Sequence, residues 1–250
     1  MLDPNEERSV AAAFGVAAAQ VRRDHLISHM LAALSERFAG RLLFFGGTAL
    51  SRTHLPDGRL SEDIDLIALD SRTRLATDLD RELPRALRRE FPGAVWRPAL
   101  GEVSEAQPAS LATTDGVTVR VQLLRRTGYA PWPTERRTLV QRYSDVAPAS
   151  LTVPTLASFV AWKTATWTDR AAPRDLYDLW LLAGLDAIDA DAGHLFRRFG
   201  PTNRLPHAGQ FATAPDETTW RRALAAQTRL RISAADALAT VRDAWAALTP

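Results

Sequence analysis

The segment from residue 41 to residue 70 constrains the fold of this 250-residue chain most strongly. One apolar run, RLLFF, leads directly into Gly46 and Gly47, and a second, within SEDIDLIAL, follows a polar turn, LPDG. Short apolar runs that are bounded by turn residues indicate strands. The segment therefore predicts a strand, a glycine turn, a short helix capped by Thr48, and a second strand.

Two aspartates lie one residue apart at the start of the second run. In a strand, Asp63 and Asp65 project from the same face, about 7 Å apart along the chain. Half-buried carboxylates at this spacing repel one another unless a positive group lies between them. Because Mg²⁺ and Mn²⁺ prefer oxygen ligands, the pair is a candidate metal site, and a solvated strand edge is the alternative.

The glycine pair is a candidate phosphate site. Gly46 and Gly47 allow backbone N–H groups to approach a phosphate closely, and Thr48 adds a hydroxyl at the start of a helix. The sequence GGTAL matches neither a Walker A loop nor a dinucleotide-binding fingerprint. Nucleoside triphosphates bind together with Mg²⁺, so the glycines and the aspartates together favour a nucleotide site over a plain turn.

The two halves of the chain differ in pattern. Helical and strand patterns alternate as far as GVTVRVQLL, whereas only helical patterns follow Pro154. The Pro-rich stretches YAPWPTERR and VAPASLTVP mark the change, and we place a boundary near residue 150. This predicts an α/β domain in residues 1–150 and a helical domain in residues 151–250.

Composition excludes several classes of protein. The chain contains no cysteine, which excludes disulfides and thiolate metal sites. The N-terminal MLDPNEERSV is acidic and polar, and no apolar run approaches ~18 residues, so we expect a soluble cytoplasmic protein with no membrane partner.

Two further features involve basic residues. Lys163 is the one lysine among 31 basic residues, and its compact ammonium suits the oxygens of a phosphate. His25 and His29 are spaced i,i+4 but lack the glutamate of H-E-x-x-H, and no third ligand is evident in the sequence. We interpret the two histidines as ordinary helix residues.

The stretch FFGGTALSRTHLPDGRLSEDIDL resembles the signature of the AbiEii/AbiGii-type nucleotidyltransferases, which are toxin components of bacterial abortive-infection and toxin-antitoxin systems. VRRDHLISHMLAAL before it and FVAWKTATWTDRAAPRDLYDLWLL after it occur in the expected order, so the resemblance spans roughly residues 15 to 185. It implies an α+β fold, in which the mixed sheet of a DNA polymerase β-like nucleotidyltransferase is flanked by helices and followed by an all-helical half that contributes Lys163 and Asp175 to the site.

The resemblance also implies roles for individual residues. The wider superfamily carries a third carboxylate on a later strand, where GVTVRVQLL offers Thr118, Arg120 and Gln122. Either Asp175 supplies this acid or metal binding is weakened. The implied nucleotide-binding residues are Gly46, Gly47, Thr48, Ser61 and Lys163. The implied metal ligands are Asp63 and Asp65, and the implied catalytic residues are Asp63, Asp65, Lys163 and Asp175. Further candidates are Arg174, Asp178 and Arg120.

The function implied is that of a nucleotidyltransferase toxin. With Mg²⁺ or Mn²⁺, it would transfer a nucleotide monophosphate from an NTP to RNA, in particular to the tRNA 3′ end, and thereby block translation. A cognate antitoxin would be its partner, and a protein acceptor stays open. The alternatives are a small-molecule nucleotidyltransferase of the aminoglycoside-modifying kind and a catalytically silent module of the same fold that binds RNA or a protein.

Overall fold

A computed structural model describes residues 1–248, and the chain divides into two compact units. The first unit contains residues 1–129 and 135–153, and the second contains residues 130–134 and the chain from residue 154 onwards. In the described part of the chain, every helix is too short or too polar to cross a membrane.

The first unit combines a sheet with helices, and it begins with two helices that precede the first strand. Its helices are α1 (Pro4–Phe14), α2 (Ala18–Phe38), α3 (Gly46–Thr53) and α4 (Arg72–Leu87). Its main strands are β1 (Leu42–Phe45), β2 (Asp63–Ala68), β3 (Val95–Trp96), β4 (Ala109–Ala112) and β5 (Thr118–Arg125).

The strands form a mixed sheet in the order β1-β2-β5-β4-β3. β2 pairs antiparallel with β1 and parallel with β5, and β4 pairs antiparallel with both β5 and β3. β6 (Thr134–Thr138) and β7 (Ser150–Pro154) form a separate two-stranded sheet. The mixed sheet with flanking helices confirms the predicted α+β fold class.

Helix α2 lies in the core of the first unit. Leu26, Ile27, Met30, Leu31 and Leu34 are all fully buried, and their spacing places them on one face of the helix. Polar side chains are also buried on this helix, and Asp24 is the most consequential of them.

Asp24 forms a buried ion pair with Arg52 of α3. The Arg52 Nη2 atom lies 2.8 Å from the Asp24 Oδ1 atom, and the Arg52 side chain has no exposed surface. The Tyr143 hydroxyl donates to the Asp24 Oδ2 atom over 3.0 Å, and the Arg52 Nη1 atom donates to the Val140 carbonyl over 3.0 Å. The pair thus ties α2 and α3 to the segment before β7.

Burial changes the acidity of both partners of Asp24. Desolvation lowers the pKa of Arg52 to about 10, and Asp24 opposes that change. Burial also raises the pKa of Tyr143, with Asp24 adding to the effect. Both groups therefore keep their ordinary states at neutral pH, with a charged guanidinium and a phenol that donates a hydrogen bond.

The second unit is helical in its described residues. Tryptophans supply much of its packing, since Trp220 and Trp245 are almost completely buried and Trp132 stacks on Trp162 with ring centroids 5.8 Å apart. The α-helices are α5 (Leu156–Arg170), α6 (Pro173–Ala183), α7 (Ala190–Phe199), α8 (Glu217–Leu224) and α9 (Ala234–Ala246). A 3₁₀ helix (Ala208–Phe211) lies between α7 and α8.

Replacing Asp24 by alanine should lower the free energy of unfolding by about 3–5 kcal/mol, because Arg52 would be left buried without its counter-charge. Urea denaturation followed by circular dichroism measures this change. Asp78→Ala is the control, since Asp78 pairs with Arg41 and Arg81 at the surface and its loss should cost far less. Equal destabilisation by the two substitutions would contradict the assigned role of Asp24.

Candidate active site

The glycine turn joins β1 directly to α3. The helix begins at Gly46, with Phe45 in the cap position, where an apolar side chain cannot accept a hydrogen bond. The predicted cap at Thr48 is therefore wrong, because the helix begins at Gly46, three residues earlier than a cap at Thr48 implies. Thr48 lies in the first turn of α3, and its hydroxyl donates to the backbone carbonyl of Asp63. This bond fastens the glycine turn to β2.

Gly46 makes the closest approach in this turn. Its φ angle is +78°, which L side chains rarely adopt. A Cβ atom at Gly46 would overlap a carboxylate oxygen of Asp65. One at Gly47 would lie 2.5 Å from a guanidinium nitrogen of Arg59, whose side chain is buried. Glycine at these two positions lets Asp65 and Arg59 lie directly against the turn.

Pairing of the strands sets the position of the two aspartates. Asp65 lies opposite Phe45 of β1 and opposite Gln122 of β5, and Asp63 lies opposite Arg120 of β5. The aspartates are half-buried while the intervening Ile64 is fully buried, so both carboxylates share one face as predicted. The start of β2 thus carries both acids beside the glycine turn.

Arg120 binds the carboxylate of Asp63 with both arms of its guanidinium. The Arg120 Nε atom lies 2.7 Å from Asp63 Oδ1, and Nη2 lies 2.9 Å from Asp63 Oδ2. This bidentate contact raises the pKa of Arg120. On the same strand, the Gln122 side chain donates to the Glu105 carbonyl over 3.0 Å. Strand β5 is where the wider superfamily carries its third carboxylate. Here the strand carries Arg120 instead, and the positive charge of Arg120 neutralises Asp63.

Ser61 precedes β2 and is buried. Its carbonyl accepts a hydrogen bond from the Gln20 side chain of α2 over 3.2 Å. The Ser61 backbone is therefore held against α2, and a role in binding nucleotide stays a prediction.

In the second unit, Lys163 of α5 lies between two carboxylates of α6. Its Nζ atom is 2.8 Å from Asp175 Oδ1 and 2.7 Å from Asp178 Oδ2, and all three side chains are buried. Arg170 completes the group, with its Nη2 atom 2.7 Å from Asp175 Oδ2. Arg174 is half-buried in the first turn of α6. Helix α6 begins at Pro173, and its first turns place Asp175 and Asp178 around the lysine.

Comparison with known families decides the identity of the chain. The family described as "Nucleotidyl transferase AbiEii toxin, Type IV TA system" matches residues 29–249. The chain belongs to the AbiEii nucleotidyltransferase toxin family. It is therefore a nucleotidyltransferase, and membership of this toxin family implies an NTP substrate and a partner antitoxin.

Two solved structures share the fold. MenT4, a nucleotidyltransferase toxin from Mycobacterium tuberculosis, superposes with a TM-score of 0.70 at 23% identity, covering 97% of this chain and 89% of that one. A putative nucleotidyltransferase from H. pylori gives a TM-score of 0.51 at 13% identity, covering 93% of this chain and 95% of that one. A search of the curated proteins returned no match.

The AbiEii chain offers donors that suit a hard divalent cation. Asp63 and Asp65 supply carboxylate oxygens on one face of β2, and the glycine turn leaves room for the Asp65 carboxylate. Arg120 contacts both oxygens of Asp63, so a cation at Asp63 has to displace at least one arm of the guanidinium. The donor set fits Mg²⁺ or Mn²⁺ once this contact opens.

Two basic residues that lie beside the candidate site residues are not predicted from the sequence. Arg59 lies against Gly47, and Arg170 pairs with Asp175. In a chain whose basic residues are almost all arginine, no local pattern distinguishes these two from the others. Their placement depends on contacts between elements.

Gly46→Ala should destabilise the first unit more than Gly116→Ala does. Both glycines have positive φ angles, +78° and +85°, so both substitutions carry a backbone cost of about 1–2 kcal/mol. Within the described residues, a Cβ at Gly116 meets no heavy atom within 4 Å, whereas one at Gly46 overlaps Asp65. The difference in unfolding free energy, measured in urea, reports the contact with Asp65. Equal losses would show that Asp65 does not lie against the turn.

Proposed function

We propose that this AbiEii protein is a metal-dependent toxin that transfers a nucleotide monophosphate from an NTP to RNA, with the tRNA 3′ end as acceptor and pyrophosphate as the leaving group, and thereby blocks translation. One observation in the first unit supports the site most strongly: the Asp65 carboxylate lies against Gly46 of the turn. Groups suited to a metal and groups suited to a phosphate are therefore in contact.

The glycine turn would bind the triphosphate. The first N–H groups of α3 have no partner within the helix, and the positive end of the helix dipole lies at Gly46. Gly47 adds no side chain that would keep a phosphate away from the backbone. The bond from Thr48 to the Asp63 carbonyl would keep these N–H groups at a fixed distance from the aspartates.

Asp63 and Asp65 would hold the divalent cation. Such an ion supplies charge neutralisation on the triphosphate and lowers the pKa of an attacking hydroxyl. Arg120 keeps Asp63 neutralised before nucleotide binds, and on release its guanidinium would be available to phosphate oxygens. Asp63 would thus exchange Arg120 for the divalent cation as its partner.

The family resemblance implies that Lys163 binds the phosphates of the nucleotide. It also implies that Asp175 is the further catalytic acid. Within the second unit, Asp175 and Asp178 supply counter-charges to the buried Lys163 ammonium, at 2.8 Å and 2.7 Å. A charged, compact ammonium is the form that would neutralise phosphate oxygens. Arg174 and Asp178 are further candidates beside it.

The RNA acceptor is supported by the family resemblance and by the arginines of the chain. Arg125 and Arg126, at the end of β5, are exposed, and such pairs suit the phosphates of an RNA backbone. A small-molecule acceptor or a protein acceptor would need the same metal and triphosphate groups, so the acceptor has to be decided by experiment.

The test is incubation of the protein with each of the four α-labelled NTPs, Mg²⁺ and total RNA, followed by separation of the RNA. We expect label on tRNA, lost with EDTA and reduced at least about a hundredfold by Asp65→Asn. Asp70→Asn is the matched control, because Asp70 follows β2 but pairs with Arg41 at the surface.

Label on a small molecule or on protein instead of RNA would overturn the acceptor. Full activity of Asp65→Asn would overturn the site. If both Asp65→Asn and Lys163→Ala inhibit growth as strongly as the parent while remaining folded, toxicity does not come from catalysis.

Arg120→Ala should tighten binding of Mg²⁺ in the absence of nucleotide by about fivefold, because the cation no longer competes with a guanidinium for Asp63. Isothermal titration calorimetry measures the dissociation constant. Arg125→Ala is the control on the same strand, because the Arg125 side chain pairs with Glu105 over 3.8 Å rather than with Asp63. Unchanged or weaker Mg²⁺ binding in Arg120→Ala would contradict the competition.

A further inference from the structure

Three side chains of the first unit converge outside the proposed nucleotide site. His25 and His29 lie one turn apart on α2, and Asp145 reaches them from the segment between β6 and β7. Each offers one ligand atom, and these atoms all lie within 4.8 Å of one another. Asp145 supplies the third group that the sequence did not reveal, because it is 120 positions away from His25.

The distances between the three atoms match those in a metal site. The His25 and His29 Nε2 atoms are 3.2 Å apart, and the Asp145 Oδ2 atom lies 3.1 Å from the first and 3.5 Å from the second. Tetrahedral Zn²⁺ with bonds of about 2.0–2.1 Å separates its ligand atoms by about 3.3 Å. A cation slightly above the plane of this triangle therefore reaches all three atoms without movement of the backbone.

The rings are held in place by aromatic neighbours. The His25 ring packs at right angles to His29, with centroids 4.6 Å apart, and at nearly right angles to Tyr143, at 4.9 Å. Phe91 lies against both histidines, at 5.5 Å from His25 and 5.4 Å from His29. This packing fixes the orientation of the imidazoles, which is the preorganisation that a metal site needs.

One residue of the cluster, His25, lines a cavity of about 310 Å³. His25 and Glu90 line this cavity together with Thr113 and Asp115, so its wall is partly polar. The cavity therefore offers a hydrated ion an approach to the His25 side of the cluster.

We propose that His25, His29 and Asp145 bind one divalent transition-metal ion of borderline softness, with Zn²⁺ the best match. Two imidazole nitrogens and one carboxylate oxygen form a donor set typical of zinc, and distinct from the all-oxygen pair at Asp63 and Asp65. The ion would fasten the segment between β6 and β7 to α2, across a long stretch of chain, and so stabilise the first unit.

Hydrogen bonds alone are the competing explanation for the cluster. A protonated His25 Nε2 atom donates to Asp145 Oδ1 over 3.0 Å. The His29 Nε2 atom, 3.2 Å away, can accept a hydrogen bond from the same N–H group. The Met1 amino group also contacts Asp145 and Glu90, over 2.9 and 2.7 Å. An ion would have to bind more strongly than these contacts, so the two explanations differ in measurable affinity.

The test is binding of Zn²⁺ to the full chain in excess Mg²⁺, by equilibrium dialysis with metal analysis, and of Co²⁺ by visible absorption. We expect one Zn²⁺ per chain, a rise in melting temperature with Zn²⁺, and intensified Co²⁺ bands from a site of low coordination number. His29→Asn and Asp145→Asn should each weaken binding at least tenfold, by analogy with known zinc sites. Both side chains are partly exposed, which favours folded variants.

Two controls locate the ion. His194→Asn removes an exposed histidine of the second unit and should leave binding unchanged. Asp65→Asn alters the proposed Mg²⁺ site and should also leave Zn²⁺ binding unchanged. Absence of a Co²⁺ spectrum in the parent, or equal Zn²⁺ affinity in the parent and in folded His29→Asn, would overturn the proposal in favour of the hydrogen-bonded cluster. Loss of Zn²⁺ binding in Asp65→Asn would overturn it as well.

Discussion

The buried pair of Asp24 and Arg52 is the interaction on which the rest of the first unit depends. A guanidinium without solvent contact is costly unless its charge and its N–H groups are satisfied. Asp24 provides the charge, the Nη1 and Nη2 atoms of Arg52 donate to Val140 and Asp24, and Val140 N–H donates back to the Arg52 carbonyl, while within the described residues the buried Nε atom has no hydrogen-bond partner. The position of α3, and therefore of the glycine turn at its start, is fixed relative to α2.

The same network lies beside both proposed sites. Arg52 is six residues beyond Gly46 on α3, while Asp24 precedes His25 on α2. Tyr143 donates to Asp24 and packs against His25. A change in this buried network would therefore affect the phosphate turn and the histidine cluster together, although the two sites use different ligands and different ions.

Local patterns were sufficient to predict part of the site. The period of a strand placed Asp63 and Asp65 on one face, and the absence of an acid on the later strand was visible in GVTVRVQLL. The predicted start of α3, after a cap at Thr48, lies three residues beyond the observed start at Gly46. Glycine is a weak helix former, so helix propensity does not place a start there, and the packing of Asp65 against Gly46 is a contact between elements that propensity does not contain.

The remaining features depend on pairing between distant segments. Arg120 meets Asp63 because β5 lies parallel to β2 in one particular register, and the two residues are 57 positions apart. Asp145 reaches the histidines across a still longer separation. Sequence periodicity describes which face a side chain occupies, but the partner on that face is set by the tertiary fold.

The proposed nucleotide site is tested most directly by a crystal structure of the protein with Mn²⁺ and a non-hydrolysable NTP, with the ion located by anomalous scattering. We expect a Mn²⁺ peak about 2.1 Å from oxygens of Asp63 and Asp65. We also expect the triphosphate on the backbone of Gly46 and Gly47, and Arg120 released from at least one oxygen of Asp63. A triphosphate bound elsewhere, with Arg120 still on both oxygens and no ion at the two aspartates, would contradict the proposed site.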